Sequence, residues 1–390
     1  MCPHKPSSQA LRVALVGPGF PPAVGGVESV MAAHARGLAA HGCQVDVLVQ
    51  CRRADPPVPK IAAWADGVTV RRFPSWTRSH HFPIAPQLAR YLRQHIHEFD
   101  IVHGHSYHAI PALAAATAGA ESFVLTPHYH GSGHTPSARA LHRVYGPVAR
   151  RVFARSDAII AVSRAEAQLI ARDFGVRTDS LSIIPNGIDD ELVHPGERFD
   201  VGIPVVLVAG RLERYKQVDV VVRAMDSHEM PEARLVVAGD GPSMASLEAA
   251  RDALRHPERV DLLGVVPTFV LRQWQRTAAV VVSLSRHEAF GMVLLEGIAC
   301  GAAIVASDIP AHREIQGRVP SAQIAYVPAD ADPNLVARVI RDQMATPGHR
   351  ASGARTSGIV TWDDVARQHI DLYQRIRDPG SRLHRQHVGA

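Results

Sequence analysis

The sequence predicts a two-domain α/β protein in which both domains are doubly wound. Three observations carry that prediction. Short apolar runs of strand length alternate with helical patterns along nearly the whole chain, as parallel βαβ units require. The alternation occurs twice, on either side of a stretch at 192–204 punctuated by Pro195, Gly196 and Pro204. The 390 residues are enough for two full cores.

The first set of units begins with the apolar run Leu11 to Val16, which ends in Gly17-Pro18-Gly19. Gly25-Gly26 and a helical pattern over 27–40 follow, Gly42 closes the helix, and Val45 to Val49 is the next strand. Arg52 to Pro59 reads as a proline-rich loop, Val68 to Phe73 as a strand, and Pro86 to Glu98 as a helix. Strands at 100–103, 123–126, 158–162 and 181–184 alternate with helices at 110–118, 137–153 and 164–173. Pro147 is expected to kink or split the helix at 137–153. Pro185-Asn186-Gly187-Ile188-Asp189 reads as a turn that closes this domain.

The second set has strands at 205–209, 234–238, 260–263, 278–284, 303–306 and 323–327. Helices are expected at 218–225, 243–254, 269–277, 292–299 and 334–344, with a last one at 361–377. The domains are therefore placed at 1–195 and 204–360. The final helix, 361–377, is assigned back to the first domain, and 378–390 is expected to be a disordered tail.

Composition narrows the function classes. Apolar residues make up 46% and charged residues 20% of the chain, the balance of an ordinary globular protein. No apolar run approaches the ~20 residues of a membrane span, and the polar start Met1 to Ala10 lacks the apolar core of a secretory signal. Cys2, Cys43, Cys51 and Cys300 show no metal-ligand spacing, so reduced thiols in a cytoplasmic protein are expected. The net charge of +5 permits nucleic-acid or anionic-membrane binding without demanding it. One region is one-sided: Ser122 to Ser156 has no Asp or Glu, while Arg139, Arg143, Arg150, Arg151 and Arg155 fall there. Two readings of 137–155 stay open, a solvated helix face or a face toward an anionic acceptor or membrane surface. Only Tyr145 and Phe153 interrupt it, both on the expected core side, which argues against a nucleic-acid stacking surface.

Three sets of residues carry chemistry. Glu288 and Glu296 are separated by seven residues, which places one in a loop and the other on the second turn of the helix that follows. The helix end between them has free N–H groups and partial positive charge. Two hydroxyl-reading carboxylates around an anion-binding helix end suit a sugar nucleotide. Two acids flanking a scissile bond, as in a glycosidase, are the other reading of the pair. Phe290, Gly291 and Met292, with Val293 in the same first turn, offer backbone N–H groups there. Arg211 and Lys216 follow a strand, at the sheet edge where α/β proteins bind ligands. They can hold a diphosphate, or Arg211 can form a surface pair with Glu213. Gly25-Gly26 in the first loop can present N–H groups to an anion or let an acceptor approach. His103, His105 and His108 suggest a metal set, but they fall on a strand end and the loop beyond without an acidic partner.

Together these motifs resemble the GT-B glycosyltransferases of family four, the retaining mannosyltransferase and glycogen-synthase-like group. Gly25-Gly26, Gly210-Arg-Leu-Glu-Arg-Tyr-Lys216 and the Glu288/Glu296 pair carry the resemblance. Thr126-Pro-His-Tyr-His130, Pro185-Asn-Gly-Ile-Asp189 and Gly239-Asp-Gly-Pro242 accompany them. The resemblance spans Arg12 to about Tyr373. It implies two Rossmann-like domains facing across a cleft, with hinge closure around 192–204 and at the last helix. It implies an acceptor on the first domain and a nucleoside-diphosphate sugar on the second, Glu288 on the donor sugar and Glu296 on the ribose. Arg211 and Lys216 would stabilise the leaving diphosphate, and His128 would lie near the reaction centre. His130 and His134 carry less weight, and Asn186, Gly187, Asp189 and Asp240 are read as turn residues.

The expectation is therefore transfer of a hexosyl or N-acetylhexosaminyl group from a UDP- or GDP-sugar to an acceptor hydroxyl, with retention and with no metal or cofactor. The catalytic set is His128, Arg211, Lys216 and Glu288. The donor-binding set is Gly25, Gly26, Arg211, Lys216, Glu288, Phe290, Gly291, Met292, Val293 and Glu296. The acceptor is a small molecule, such as an antibiotic precursor or other metabolite, or a lipid-linked one. The location is the cytoplasm, with peripheral contact on the inner membrane face through 137–155 left open. A GT-B epimerase, a sugar phosphorylase and a non-catalytic basic binding protein are the competing readings.

Overall fold

The structure is a computed structural model that describes residues 10–23, 25–51, 58–76, 84–131, 136–345 and 357–378, with the side chains of 136–144 outside that description. The chain divides into two compact units. The first comprises 1–162, 166–185 and 362–390; the second comprises 163–165 and 186–361. The change of unit thus falls at Pro185/Asn186, within the Pro-Asn-Gly-Ile-Asp turn, and not within 192–204. The reason is local. Ile188 bridges to Thr361, and Asp189 is paired with Arg272 at 2.6 Å, so the turn's second half is already bonded into the second unit.

The first unit holds an eight-stranded sheet. Its strands are β1 (Arg12–Gly17), β2 (Gln44–Cys51), β3 (Ile61–Ala65), β4 (Val68–Pro74), β5 (Ile101–His105), β6 (Phe123–Thr126), β7 (Ala158–Ala161) and β8 (Leu181–Ile183). The spatial order is β3-β4-β2-β1-β5-β6-β7-β8. Every pairing is parallel except β3 with β4. Strand β3 is missing from the sequence reading. Its burial alternates between exposed and half-buried, so this edge strand lacks the continuous apolar run that marks the buried ones. Helix α1 (Gly26–Ala40) connects β1 to β2, α2 (Pro86–His95) leads to β5, α3 (Ile110–Thr117) follows β5, and α4 (Pro136–Ala154) precedes β7. Helix α4 runs on through Pro147 as one element, so the expected split does not occur. Helix α5 (Arg164–Phe174) completes the set.

The second unit holds a six-stranded, all-parallel sheet of β9 (Val205–Ala209), β10 (Arg234–Ala238), β11 (Val260–Gly264), β12 (Val280–Ser283), β13 (Ala303–Ser307) and β14 (Ile324–Val327). The order is β11-β10-β9-β12-β13-β14, the 3-2-1-4-5-6 arrangement of a dinucleotide-type fold. Its direction reverses between β9 and β12, and ligands of such sheets bind outside the carboxyl ends of strands at that reversal. The helices are α6 (Val218–Ala224), α7 (Met244–Asp252), α8 (Thr268–Thr277), α9 (Met292–Ala299), α10 (Pro310–Arg318) and α11 (Pro333–Ala345). Helix α10 is absent from the sequence reading, although Pro310 at its first turn is a helix-start signal.

Apolar residues of both sheet faces fill the two cores. Ala14, Val16, Val102 and Leu125 are fully buried in the first, and Val206, Leu235, Val237 and Val280 in the second. The last helix, α12 (Trp362–Arg377), belongs to the first unit and packs on α1. His41 meets Asp363 at 2.7 Å, and Arg377 meets Asp100 at 2.7 Å. The 52–57 part of the proline-rich loop, His134 and the tail from 379 lie outside the described residues. No helix among the described residues is long and apolar enough to cross a membrane.

Candidate active site

The loops after β9 and β12 meet at the reversal point of the second sheet. After β9, Gly210-Arg211-Leu212 leads to a short 3-10 turn, Arg214–Lys216. The Gly239-Asp-Gly-Pro242 motif braces this loop. Leu212 donates its N–H to the Asp240 carbonyl at 2.9 Å, and Ser243 donates to the Leu212 carbonyl at 3.0 Å. A Cβ on Gly239 would fall 1.9 Å from the Gly210 carbonyl oxygen, so only glycine allows the two loops to touch. Asp240 accepts from the Gly241 N–H at 2.7 Å, as a turn residue does.

Lys216 leaves this turn toward the loop after β12 and forms an ion pair and hydrogen bond with Glu288. Ser285 donates its hydroxyl to the same carboxylate at 3.0 Å. Burial opposes ionisation of both partners. Their mutual attraction outweighs it, holding Glu288 below the usual carboxylate range and Lys216 above the usual ammonium range. The pair is mostly buried, the two side chains being 16% and 24% exposed. Gln217, next in the chain, sits in the left-handed region at φ 53°, a strained conformation for a non-glycine residue. Arg211 is 59% exposed and pairs with Glu213 at 3.0 Å. The surface pairing weighed from the sequence is thus its observed contact, and Arg211 does not join the Lys216–Glu288 pair.

Phe290 is buried under the Arg318 guanidinium, 5.7 Å from the ring centre. Gly291 is left-handed at φ 92° and caps the N-terminus of α9, so the helix starts at Met292 with Val293 in its first turn. The free N–H groups of that turn lie just beyond Glu288. Glu296, one turn further on, accepts from the Gln275 side-chain amide at 2.7 Å. Burial, and then the Asp189 charge, lift its carboxyl to about 7. The two glutamates therefore differ: one is ionised and paired with a cation, the other is held near neutrality by burial and the Asp189 charge, against the pull of the Gln275 amide. Ser285, Gln275 and the α10 residue His312 are parts of this site that the sequence reading did not assign. Ser285 lies inside the stretch that carries the glutamates, whereas Gln275 lies on a different helix and only the fold brings it to Glu296.

The other assigned residues lie in the first unit. Gly25 has an extended backbone and precedes α1, and Gly26 is its first residue. The carboxylate of Glu28 lies against Gly25 and Gly19, so a negative group of the chain itself already occupies this loop. His128 follows β6, half-buried and left-handed at φ 51°. Its Nε2 is 3.1 Å from His105 Nδ1. Burial, with the charges of His108 and His130, pushes its imidazole down to about 3, so it is neutral at physiological pH. The N–H of the next residue, Tyr129, donates to Glu166, which also accepts from the Val162 N–H at 2.6 Å.

His103 lies within β5, His105 is its last residue, and His108 is in the loop after it, so the strand-end and loop placement holds. Among the described residues, a different set of three histidines could hold an ion. Ring nitrogens of His34, His103 and His369 come within 4.8 Å of one another. His103 uses both nitrogens, one to the Tyr373 hydroxyl and one to Thr126, each at 2.7 Å, which leaves it no free lone pair for an ion in this arrangement. Arg150 and Arg151 on α4 and Arg155 just after it are exposed, while Val152 and Phe153 are buried. Arg139 and Arg143 fall among the side chains not described.

Comparison with known proteins follows the same division. Residues 24–192 match the family model described as Glycosyltransferase Family 4. Residues 189–350 match the model described as Glycosyl transferases group 1. A D-inositol 3-phosphate glycosyltransferase of Xylanimonas cellulosilytica is 29% identical, over 90% of this chain and 91% of that protein. Among solved structures, sucrose-phosphate synthase from Thermosynechococcus elongatus superposes with a TM-score of 0.74 at 21% identity, covering 94% of this chain and 99% of that one. Anabaena HepE in complex with UDP and glucose superposes with a TM-score of 0.70 at 18% identity, covering 94% and 100%.

Proposed function

The chain belongs to the GT-B glycosyltransferases of family four, and from that premise we propose that its second unit binds a nucleoside-diphosphate sugar at the β9/β12 reversal point. The observation that carries the reading is the buried Lys216–Glu288 pair beside the N-terminus of α9. A pair this dry keeps a cation and an anion poised, and a donor with a diphosphate and a polyol offers each a partner. Lys216 and the α9 N–H groups take the diphosphate, Glu288 takes sugar hydroxyls, and Glu296 takes the ribose diol. Arg211 would leave Glu213 to join the phosphate. HepE was solved with UDP-glucose as well as with UDP and glucose, which supports a UDP-sugar as the first donor to try.

The reaction is transfer of a hexosyl or N-acetylhexosaminyl group to an acceptor hydroxyl. The acceptor oxygen forms the new bond to the anomeric carbon on the face from which the diphosphate leaves, and configuration is retained. The bond to the phosphate oxygen breaks, the diphosphate departs with the electron pair, and the hydroxyl proton passes to it. Lys216 stabilises the departing charge, as a preorganised cation in a dry site does most effectively, so no metal is required. The first unit takes the acceptor. Its neutral His128 hydrogen-bonds or positions a hydroxyl rather than serving as a strong base. The names of the relatives make D-inositol 3-phosphate the first acceptor to test, with lipid-linked sugars second. The experiment is incubation with UDP-, GDP-, ADP- and dTDP-glucose and UDP-N-acetylglucosamine, with EDTA, with and without these acceptors. Products are read by NMR at the anomeric carbon. A glycoside of unchanged configuration is expected. Epimerised or phosphorolysed donor in place of a glycoside would overturn the reading.

A further inference from the structure

His312, in the first turn of α10, is fully buried. Its Nδ1 is 2.9 Å from the Ser307 carbonyl oxygen. A carbonyl can only accept, so Nδ1 carries the proton. The Ser307 hydroxyl, which donates to the Ser285 carbonyl, presents a second acceptor to the same N–H at 3.2 Å. The neutral ring therefore carries a bare lone pair on Nε2, and that atom is buried with no hydrogen-bond partner. A buried polar atom without a partner is costly and calls for an explanation.

The surroundings of Nε2 supply one. A Cβ built on Gly291 would lie 3.2 Å from His312 Cδ2 and 3.6 Å from Nε2, so the ring edge faces the residue that caps α9. His312 also feels the charges of Glu288 and Lys216. Its backbone is held as well, since Tyr326 donates its hydroxyl to the His312 carbonyl at 3.1 Å. Burial, outweighing the pull of Glu288, lowers the basicity of the ring and keeps it neutral.

We propose that His312 Nε2 is a further donor-binding group that accepts a hydrogen bond from a hydroxyl of the donor sugar beside Glu288. This rests on the donor site proposed above. Two acceptors of different kind, a carboxylate and an imidazole, then read neighbouring hydroxyls, and Ser307 fixes the tautomer that makes the second possible. A site whose acceptor is built for a hydroxyl discriminates strongly against sugars that lack it. Glu288 and His312 together would set which sugar is accepted, while the nucleoside diphosphate is held by other groups.

The test is calorimetric titration of the wild type and His312→Phe with UDP, with UDP-, GDP-, ADP- and dTDP-glucose and with UDP-N-acetylglucosamine. His312→Phe should weaken the bound nucleotide sugar about tenfold, the worth of one buried hydrogen bond, and leave UDP affinity unchanged. His312→Gln, whose amide oxygen can reach the Nε2 position, should recover part of the loss. In parallel, wild-type protein labelled with 15N-histidine should show the His312 Nε2 resonance moving upfield with the nucleotide sugar and not with UDP. This second readout stands even if the Phe variant fails to fold. An unmoved Nε2 resonance, or an equal loss for UDP and for the sugar nucleotide, overturns the assignment of His312 alone. If the wild type binds none of these donors, the donor site itself is overturned.

Discussion

The two units use buried polar groups in opposite ways. In the first, His34, His103, His105 and His369 are buried around Tyr373, and each is held well below the ordinary imidazole range, chiefly by burial. They are neutral and bond to one another's neighbours: His103 to Tyr373 and Thr126, His369 to the Val365 carbonyl at 2.8 Å. In the second, the sheet reversal point carries a mostly buried charge pair, Lys216 against Glu288. Most of this neutral cluster is bonded within itself beneath α12, while His105 Nε2 is buried without a partner. A buried charge pair has displaced water it must do without, and a ligand that brings its own charges can take over each partner. The contrast is between a neutral histidine cluster in the first unit and a charge pair in the second.

The largest effect expected from breaking this contrast is at Lys216. Lys216→Met should lower kcat by roughly 10² to 10³-fold, the scale of losing one preorganised charge at a leaving group, as read by steady-state assay on the active donor. A drop confined to KM would mean that Lys216 binds without assisting departure.

The next concerns the histidines of the first unit and is read as stability. His369 titrates at about 4 in the folded chain against 6.5 for the free side chain. A lowered folded value contributes stability that is complete above the unfolded value and is lost as pH falls through 6.5 toward 4. His369 alone accounts for about 3 kcal/mol of that loss, and His34 and His103 act in the same direction. Denaturant melts at pH 7.5 and pH 4 should show the loss, and His369→Leu should flatten it. Equal pH slopes for wild type and variant would place the acid sensitivity elsewhere.

The smallest effect, and the one that sharpens the comparison within the second unit, is at Glu296. Its carboxyl sits at about 7, above the unfolded range. As pH rises from about 4.5 to 7, the folded state holds a proton that the unfolded state has released, so stability falls across that window. Because the side chain is only partly buried, about 1–2 kcal/mol is expected rather than the full shift. Glu296→Gln should recover this at pH 8 while weakening donor binding about tenfold. A variant that is no more stable at pH 8 would mean that burial and the Asp189 charge do not lift the Glu296 carboxyl in the folded chain.

What could be read from the sequence follows the same physics. The parallel strands are runs such as Val205 to Ala209 and Val280 to Ser283, buried on both faces, and their apolar continuity marks them directly. Strand β3 and helix α10 escape because their signals are weak: alternating exposure in one and a nine-residue helix led by proline in the other. Glu288, Lys216, Gly291 and Glu296 are visible in local motifs because each motif sits on one loop or helix end. Gln275 and His312 are invisible for the converse reason. Each comes from a separate helix, and its relation to a glutamate exists only once β9, β12 and β13 are side by side. Arg211 shows the remaining gap, since sequence spacing cannot distinguish a phosphate partner from a pair with Glu213 two residues away.

The central claim, that the Lys216–Glu288 pair is the donor seat, is tested most directly by titrating the donor against the wild type and Glu288→Gln in EDTA. Wild type should bind one nucleotide sugar without metal, Glu288→Gln should weaken it at least about tenfold, and UDP affinity should be retained. Wild-type affinity for the nucleotide sugar in Glu288→Gln would contradict it.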